Sequence, residues 1–174
     1  MQDWVLKLQN IYTKTKKVSE SKVIFTYGVM PTDLNTGGTM YGPRLFEIAD
    51  HSSGTCAIRH TRGRVATISC DSFTFLKPIN QGDFLTATTF ISGVGNSSVE
   101  VFTKFTKEAP MTGETEVAAF CFLTFKCKGT EPGKMPAIIG ESLEEKKIIE
   151  GYESRREINK IRQKNNKELR EILK

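Results

Sequence analysis

Asn35, Gly42 and Asp50 are the residues of this chain whose types and spacing could do chemistry. Asn35 heads a polar, glycine-rich stretch with Gly37 and Gly38, which reads as a loop feeding a helix that begins near Gly42. Asp50 follows eight residues later. A fixed side-chain amide, the unpaired N–H groups of a helix N-terminus and a carboxylate are the parts that acyl transfer or thioester hydrolysis needs. The plainer alternative is that Asp50 is a solvated charge and Asn35 is turn chemistry.

A helix advances about 1.5 Å per residue, so Gly42 and Asp50 stand roughly 12 Å apart along one helix. One thioester carbonyl cannot touch both. If both act, they come from two helices that run antiparallel across a subunit interface, and the active unit is at least a dimer. Oxyanion stabilisation then falls to the Gly42 N–H, because Pro43 has none to donate. Asn35 would orient the water or the carbonyl. Asp50 would act as general base, or attack directly to give a mixed anhydride.

The elements that must position these groups can be read from periodicity. Leu45, Ile48, Ala49, Ser52, Cys56 and Ala57 recur at i, i+3, i+4 spacing and predict a core-facing helix from about Gly42 to His60. Pro43 suits its first turn. Strand-like runs are expected over Val23 to Val29, Val65 to Phe75, Asp83 to Ser92, Ser97 to Lys107 and Glu114 to Lys126, separated by turn signals. One strand, a long helix and then a meander make an α+β layout with the helix against one face of an antiparallel sheet.

Three segments are expected: an N-terminal arm or short helix over 1–18, a domain over 19–141, and a charged helix over 142–174. Ser142 and Glu145 form a capping-box signature at the start of the last segment. Its apolar stripe is sparse, which predicts a solvated appendage, or else an arm bracing an oligomer, with a break near Gly151.

Composition limits the choices. A net charge of +5 is too mild for a dedicated nucleic-acid binder but favours an anionic ligand. The four cysteines stand singly in apolar runs, which reads as buried free thiols in a reducing compartment. No signal-peptide pattern and no apolar run of membrane-spanning length is visible, so the cytoplasm is expected and membrane insertion is not. Two histidines make a histidine-rich metal site improbable, and no metal is expected. There is no GxSxG elbow and no P-loop or dinucleotide motif. His51, Ser52 and Ser53 are neighbours on one helix and do not face one another.

The run from Asp33 to His60 resembles the helix-entry motif of the hot-dog-fold acyl-CoA thioesterases of the cytosolic long-chain acyl-CoA hydrolase type. Asn35, Gly38, Gly42, Leu45 and Asp50 match that pattern, with Pro43 where a second Gly usually stands. Further stretches resemble it: DSFTFLKPINQGD, and Gly95, Ser98, Val99 and Glu100 in a later strand. The resemblance covers about Ser19 to Lys147. It implies a hot-dog fold, hydrolysis of a fatty acyl-CoA to free acid and coenzyme A, and no separate cofactor. It also implies that Asn35 and Asp50 are the catalytic pair, and that the assembly is a trimer of dimers with each site at a dimer seam.

For coenzyme A, the turn GVGNSS could offer backbone amides to a phosphate through Asn96, Ser97 and Ser98, although an ordinary hairpin turn has the same composition. By resemblance, Ile68, Ser69 and Cys70 would line the pantetheine path. Arg59, Arg62, Arg64 and Lys77 are unranked candidates for the phosphates. Two competing readings remain: a hot-dog enzyme acting on acyl-carrier-protein thioesters or as a hydratase, and a non-catalytic acyl-CoA sensor. His51 and His60 are poorly placed for the hydratase.

Overall fold

The computed structural model describes residues 15–128 and 135–173. Along the chain run β1 (Thr15–Lys17), β2 (Val23–Gly28), α1 (Gly42–Thr61), β3 (Arg64–Phe75), β4 (Phe84–Val94), β5 (Ser98–Glu108), β6 (Thr115–Lys128), β7 (Ala137–Ile139), α2 (Leu143–Glu150) and α3 (Tyr152–Ile172). Five strands form one antiparallel sheet in the order β2-β4-β5-β6-β3, and β1 pairs with β7 in a separate parallel ribbon. The expected α+β fold, a sheet wrapped around one central helix, is what the chain adopts.

The predicted helical stripe faces the sheet: Leu45, Ile48, Ala49, Ser52, Cys56 and Ala57 are all buried. Small residues let the sheet come close, and an added Cβ on Gly54 would stand 3.8 Å from the Phe125 ring. Three fully buried hydroxyls fix the helix along the sheet. Ser53 Oγ lies 3.1 Å from Thr103 Oγ1, which lies 2.9 Å from Thr89 Oγ1. Sliding the helix would leave the Ser53 hydroxyl unpaired in the core, at about 1–3 kcal/mol.

The C-terminal end of α1 is capped from a distance. Lys16, buried on β1, donates to the carbonyls of Arg59 at 3.1 Å and His60 at 2.7 Å. A cation on the last carbonyls of a helix suits both the unpaired acceptors and the helix dipole. The helix or arm expected over 1–18 lies outside the described residues up to residue 14, and residues 15–17 are strand.

The C-terminal segment departs from the solvated appendage. It is two helices broken at Gly151, and both dock on the outer face of the sheet. Ile148 and Ile149 pack against Val18, Phe90, Phe102 and Phe122. At the junction, Arg155 donates to buried Glu100 through Nη2 (2.8 Å) and Nε (3.1 Å), with its guanidinium 4.3 Å over the Phe122 ring. Tyr152 fills the space over Gly93, where an added Cβ would fall 2.0 Å from its ring.

Helix α2 is also fixed at its start. Ser142 caps it, accepting from Glu145 N–H at 3.2 Å, while buried Glu145 accepts from Ser142 N–H (2.9 Å), Glu141 N–H (2.8 Å) and Lys22 Nζ (2.8 Å). Burial pushes the Glu145 carboxyl up, but the Lys22 and backbone N–H bonds outweigh it and hold the group at about 2. Its contribution to stability is therefore present above the ordinary carboxylate range and lost as pH falls toward 2. Glu145→Gln should cost about 2 kcal/mol at neutral pH, after discounting for the partial exposure of Lys22. Urea unfolding from pH 7 down to pH 3 should show the gap between variant and wild type narrowing. A gap constant across that range would contradict this role.

Candidate active site

Asn35 sits in a tight loop between a 3-10 turn at Pro31–Asp33 and the start of α1. Its side chain organises that loop. Oδ1 accepts from Gly37 N–H at 2.8 Å and Thr39 N–H at 3.3 Å, and Nδ2 donates to Thr39 Oγ1 at 3.1 Å. Gly38 takes a φ of +80°, a conformation that favours glycine at this turn. The second Nδ2 hydrogen is not used by the loop. Asp33 braces the other side, accepting from Met30 N–H at 2.8 Å and lying 3.2 Å from Arg44 Nε.

The helix start is open where the sequence pointed. Tyr41 is the N-cap residue and makes no side-chain capping bond; Arg44 and Leu45 donate to its carbonyl. Gly42 N–H has no acceptor among the described residues, and Pro43 has no N–H. Phe75 packs 3.7 Å from where a Gly42 Cβ would stand. Beside it, a cleft of about 300 Å³ opens among Met40, Leu45, Phe75 and Ile79.

Asp50 belongs to a different neighbourhood, two turns along α1. Its Oδ1 accepts from Thr67 Oγ1 at 2.7 Å, and no described group bonds Oδ2. Glu47, the acid one turn before Asp50, could be its neighbour or plain surface charge by sequence; it pairs with Arg44 at 2.6 Å. Thr67 was not singled out from sequence. Its signal is faint: a threonine whose β-strand register with Phe125 turns it toward the helix. One protomer thus holds two half-sites, an amide-lined helix start and a carboxylate fixed by a hydroxyl, and does not bring them together.

The other expected residues scatter. Ile68 and Asp71 are the extra residues of two bulges in β3. Ile68 is exposed, Ser69 donates to Asp71 at 2.7 Å, and Cys70 is half-buried with its thiol toward Ser72 O. Asn96, Ser97 and Ser98 form the tip of the β4–β5 hairpin. There Gly95 N–H donates to Ser98 O at 2.8 Å, and Ser97 Oγ accepts from Lys126. This tip occupies the same end of the sheet as Thr67, since Val99 pairs with Phe125 and Phe125 with Thr67.

Arg59 donates to Lys22 O, Arg62 forms the left-handed C-cap of α1, Arg64 opens β3, and Lys77 lines the cleft beside Gly42. Burial pushes the Cys56 thiol up to about 12 and raises Cys121 as well, which leaves both poor nucleophiles. Among the described residues, no group of three or more His, Cys, Asp or Glu could hold a metal ion. Nor is any helix among the described residues long and apolar enough to cross a membrane.

A sheet wrapped on one helix, with an amide loop at its start and a carboxylate on its flank, defines a class of acyl-thioester enzymes, and comparison with known proteins agrees. The Thioesterase superfamily profile matches residues 37–114. An uncharacterised acyl-CoA thioester hydrolase of Bacillus subtilis is 41% identical over 134 residues, covering 76% of this chain and 78% of that protein. The chain belongs to the thioesterase superfamily.

Among solved structures, an acyl-CoA hydrolase from Staphylococcus aureus, in complex with butyryl coenzyme A and coenzyme A, superposes with a TM-score of 0.86 at 32% identity. The match covers 91% of this chain and 98% of that one. The same enzyme has been solved with an aspartate, a threonine or an asparagine replaced by alanine. A hexameric acyl-CoA thioesterase superposes with a TM-score of 0.80 at 29% identity, covering 86% and 97%.

Asn35→Ala removes three hydrogen bonds from an exposed loop, at a cost of about 1 kcal/mol. Amide exchange at Gly37 and Thr39 should speed up by about fivefold, while the amides of α1 keep their protection. Unchanged exchange at those two amides would mean that the backbone holds the loop without Asn35.

Proposed function

We propose that the protein hydrolyses acyl-CoA thioesters to a free acid and coenzyme A, at a site shared between two protomers. The observation that carries this is the division of the machinery along α1. Gly42 and Asp50 are two turns apart, so a single carbonyl reaches both only if the second comes from an antiparallel partner helix. The hexameric relative supports such an assembly, here a trimer of dimers. The alanine positions in the Staphylococcus aureus enzyme support the residue roles. Their separations, fifteen and seventeen residues, equal those from Asn35 to Asp50 and from Asp50 to Thr67.

In this reading Thr67 holds one oxygen of Asp50 and leaves the other facing a water. Asp50 takes the proton as the water oxygen attacks the thioester carbon. The oxyanion that forms is held by the partner's helix-start N–H and by the spare amide hydrogen of its asparagine. The C–S bond then breaks, the thiolate of coenzyme A leaves, and the proton on Asp50 passes to it. The acyl chain lies in the apolar cleft at the helix start. Ile68, Ser69 and Cys70 border the pantetheine arm, and the hairpin tip at Asn96, Ser97 and Ser98 lies toward the nucleotide. Coenzyme A is part of substrate and product, so no further cofactor takes part. Four free cysteines suit a reducing compartment, the cytoplasm.

Asp50→Asn should lower kcat by about 10²–10⁴-fold with folding and coenzyme A binding intact. Purified Asn35→Ala and Asp50→Asn proteins should each be nearly inactive. Unfolded and refolded together, they should recover about a quarter of wild-type activity, because half the dimers are mixed and each mixed dimer has one intact site of two. Free-thiol release is the readout. Full activity of Asp50→Asn would defeat the catalytic role, and no recovery on mixing would defeat the shared site.

A further inference from the structure

We propose that the exposed apolar stripe of helix α3 packs against the same stripe of a second copy of this chain, as an antiparallel helix pair on the outer face of the sheet. The proposal rests on the shared-site reading above, whose antiparallel α1 helices fix where the second copy lies. It assigns to the charged C-terminal helix a surface and a partner.

The stripe contains every aliphatic residue of α3. Ile158, Ile161, Leu169 and Ile172 are exposed to 61%, 64%, 51% and 80%. With Asn165, which is also exposed, they are spaced by three, four, four and three residues. At 3.6 residues per turn these five positions fall on one side of the helix, roughly a quarter turn from the face that docks through Tyr152, Asn159 and Arg162. Single exposed aliphatic residues are ordinary, but a stripe that gathers all of them on an otherwise charged helix is a helix-pairing surface.

Its spacing reads the same in both directions from Asn165. An antiparallel pair about a two-fold axis uses that symmetry. It sets Ile158 against the partner's Ile172 and Ile161 against the partner's Leu169, and it brings the two copies of Asn165 together on the axis. An amide both donates and accepts, so two such side chains satisfy each other. One polar pair in an apolar seam fixes its register.

The fold carries α3 to the place where a second copy would meet it. Tyr152 lies over Gly93 of β4, Arg155 bonds Glu100 of β5, and Arg162 donates to Asp71 O of β3. The helix thus crosses the sheet in the order β4, β5, β6, β3, and from Arg162 on the edge strand it runs on to Ile172. The two-fold is located by the other face of the sheet. Bringing Gly42 of one α1 to Asp50 of the other puts the axis midway between those positions. On β3, Phe75 packs beside Gly42 and Thr67 bonds Asp50, so the axis passes level with Asp71, midway between them.

Asp71 is the residue that Arg162 holds. Gln163 and Lys167, on the flank of α3 away from the stripe, line a groove with Ile68 and Ser69. The stripe therefore faces the opposite way, toward the Phe75 half of β3 and toward the axis. Two helices that cross the edge on either side of this axis run antiparallel with their stripes face to face.

The first test is a cross-link in the full chain. Asn165→Cys sets a thiol beside its own symmetry mate, and Lys167→Cys sets one on the opposite flank. Oxidation with copper phenanthroline should join Asn165→Cys into a covalent dimer on a non-reducing gel. Lys167→Cys should stay at the background set by the four native cysteines of wild type. If sedimentation shows an assembled protein in which Asn165→Cys links no more than Lys167→Cys, the proposal is overturned.

The second test checks the register. Ile161→Glu and Leu169→Lys should each raise the dimer dissociation constant about tenfold. Both positions are exposed in the protomer, so the fold tolerates either charge. The double variant should return to within about threefold of wild type, because each new charge then faces its opposite on the partner. Within one helix the two charges stand roughly 12 Å apart, so the restoration has to come across the interface. Losses that simply add in the double variant overturn the pairing. Neither readout needs turnover. An assembled protein that cleaves no acyl-CoA ends the hydrolase reading alone, and the cross-link still decides the helix pair. A wild-type monomer at assay concentration overturns the helix pair and the shared site together.

Discussion

The contact among Ser53, Thr103 and Thr89 sets the coordinates for the rest of the molecule. Apolar packing would hold helix α1 against the sheet in several nearly equivalent positions, because dispersion and burial are not directional. Hydroxyls are directional. With three of them fully buried, the core tolerates the one register in which they meet. That register puts Asp50, three residues before Ser53 and on the flank of the buried stripe, against Thr67 on β3. The hydrogen bond orienting the carboxylate is thus a consequence of polar pairing one turn away in the core.

The same reasoning explains why so charged a C-terminal segment is docked. A helix with the composition of α3 has little apolar area to bury and is marginal by itself. It is held at points: Tyr152 over Gly93, Arg155 on Glu100 and Phe122, Arg162 on Asp71. The Arg155–Glu100 pair is largely desolvated. Such pairs contribute less to net stability than to position, since either partner left alone in that environment would be costly. The helix is therefore placed accurately over its first half, and its second half continues from there to Ile172.

Much of this was legible in the sequence. The stripe from Leu45 to Ala57 predicted both the extent of α1, which ends at Thr61 rather than His60, and the face it buries. The strands fell within two residues of their expected ends because Gly, Pro and Asn punctuate every turn. Asn35, Gly42 and Asp50 stood out because amide, glycine and carboxylate have few reasons to share so short a span. What escaped was non-local. Thr67 looks like any polar residue of an alternating strand until its register with Phe125 is known. Lys16 reads as one of a basic run, not as a cap on a helix end more than forty residues away. The docking of α3 rests on an acid, Glu100, inside a strand, and on two arginines that composition alone assigns to solvent. The β1–β7 ribbon pairs segments from opposite ends of the chain, and no local pattern announces it.

Strand β3 has one more property that bears on assembly. It is twelve residues long, pairs only with β6 among the described strands, and leaves its other side unpaired. Long edges invite pairing with another chain, and proteins that stay monomeric blunt them with proline, inward charge or a covering element. Here β3 has no proline, and its two bulges, at Ile68 and Asp71, bend it without capping it. Helix α3 covers its outer face and α1 its inner face, but neither covers the edge. A second β3 laid antiparallel along it would extend the sheet and set two α1 helices side by side in opposite directions. That is the geometry needed for the helix start of one protomer to reach the carboxylate of the other. The unpaired edge and the divided machinery are separate observations, one from backbone hydrogen bonding and one from the rise of a helix, and a two-fold pairing through β3 satisfies both.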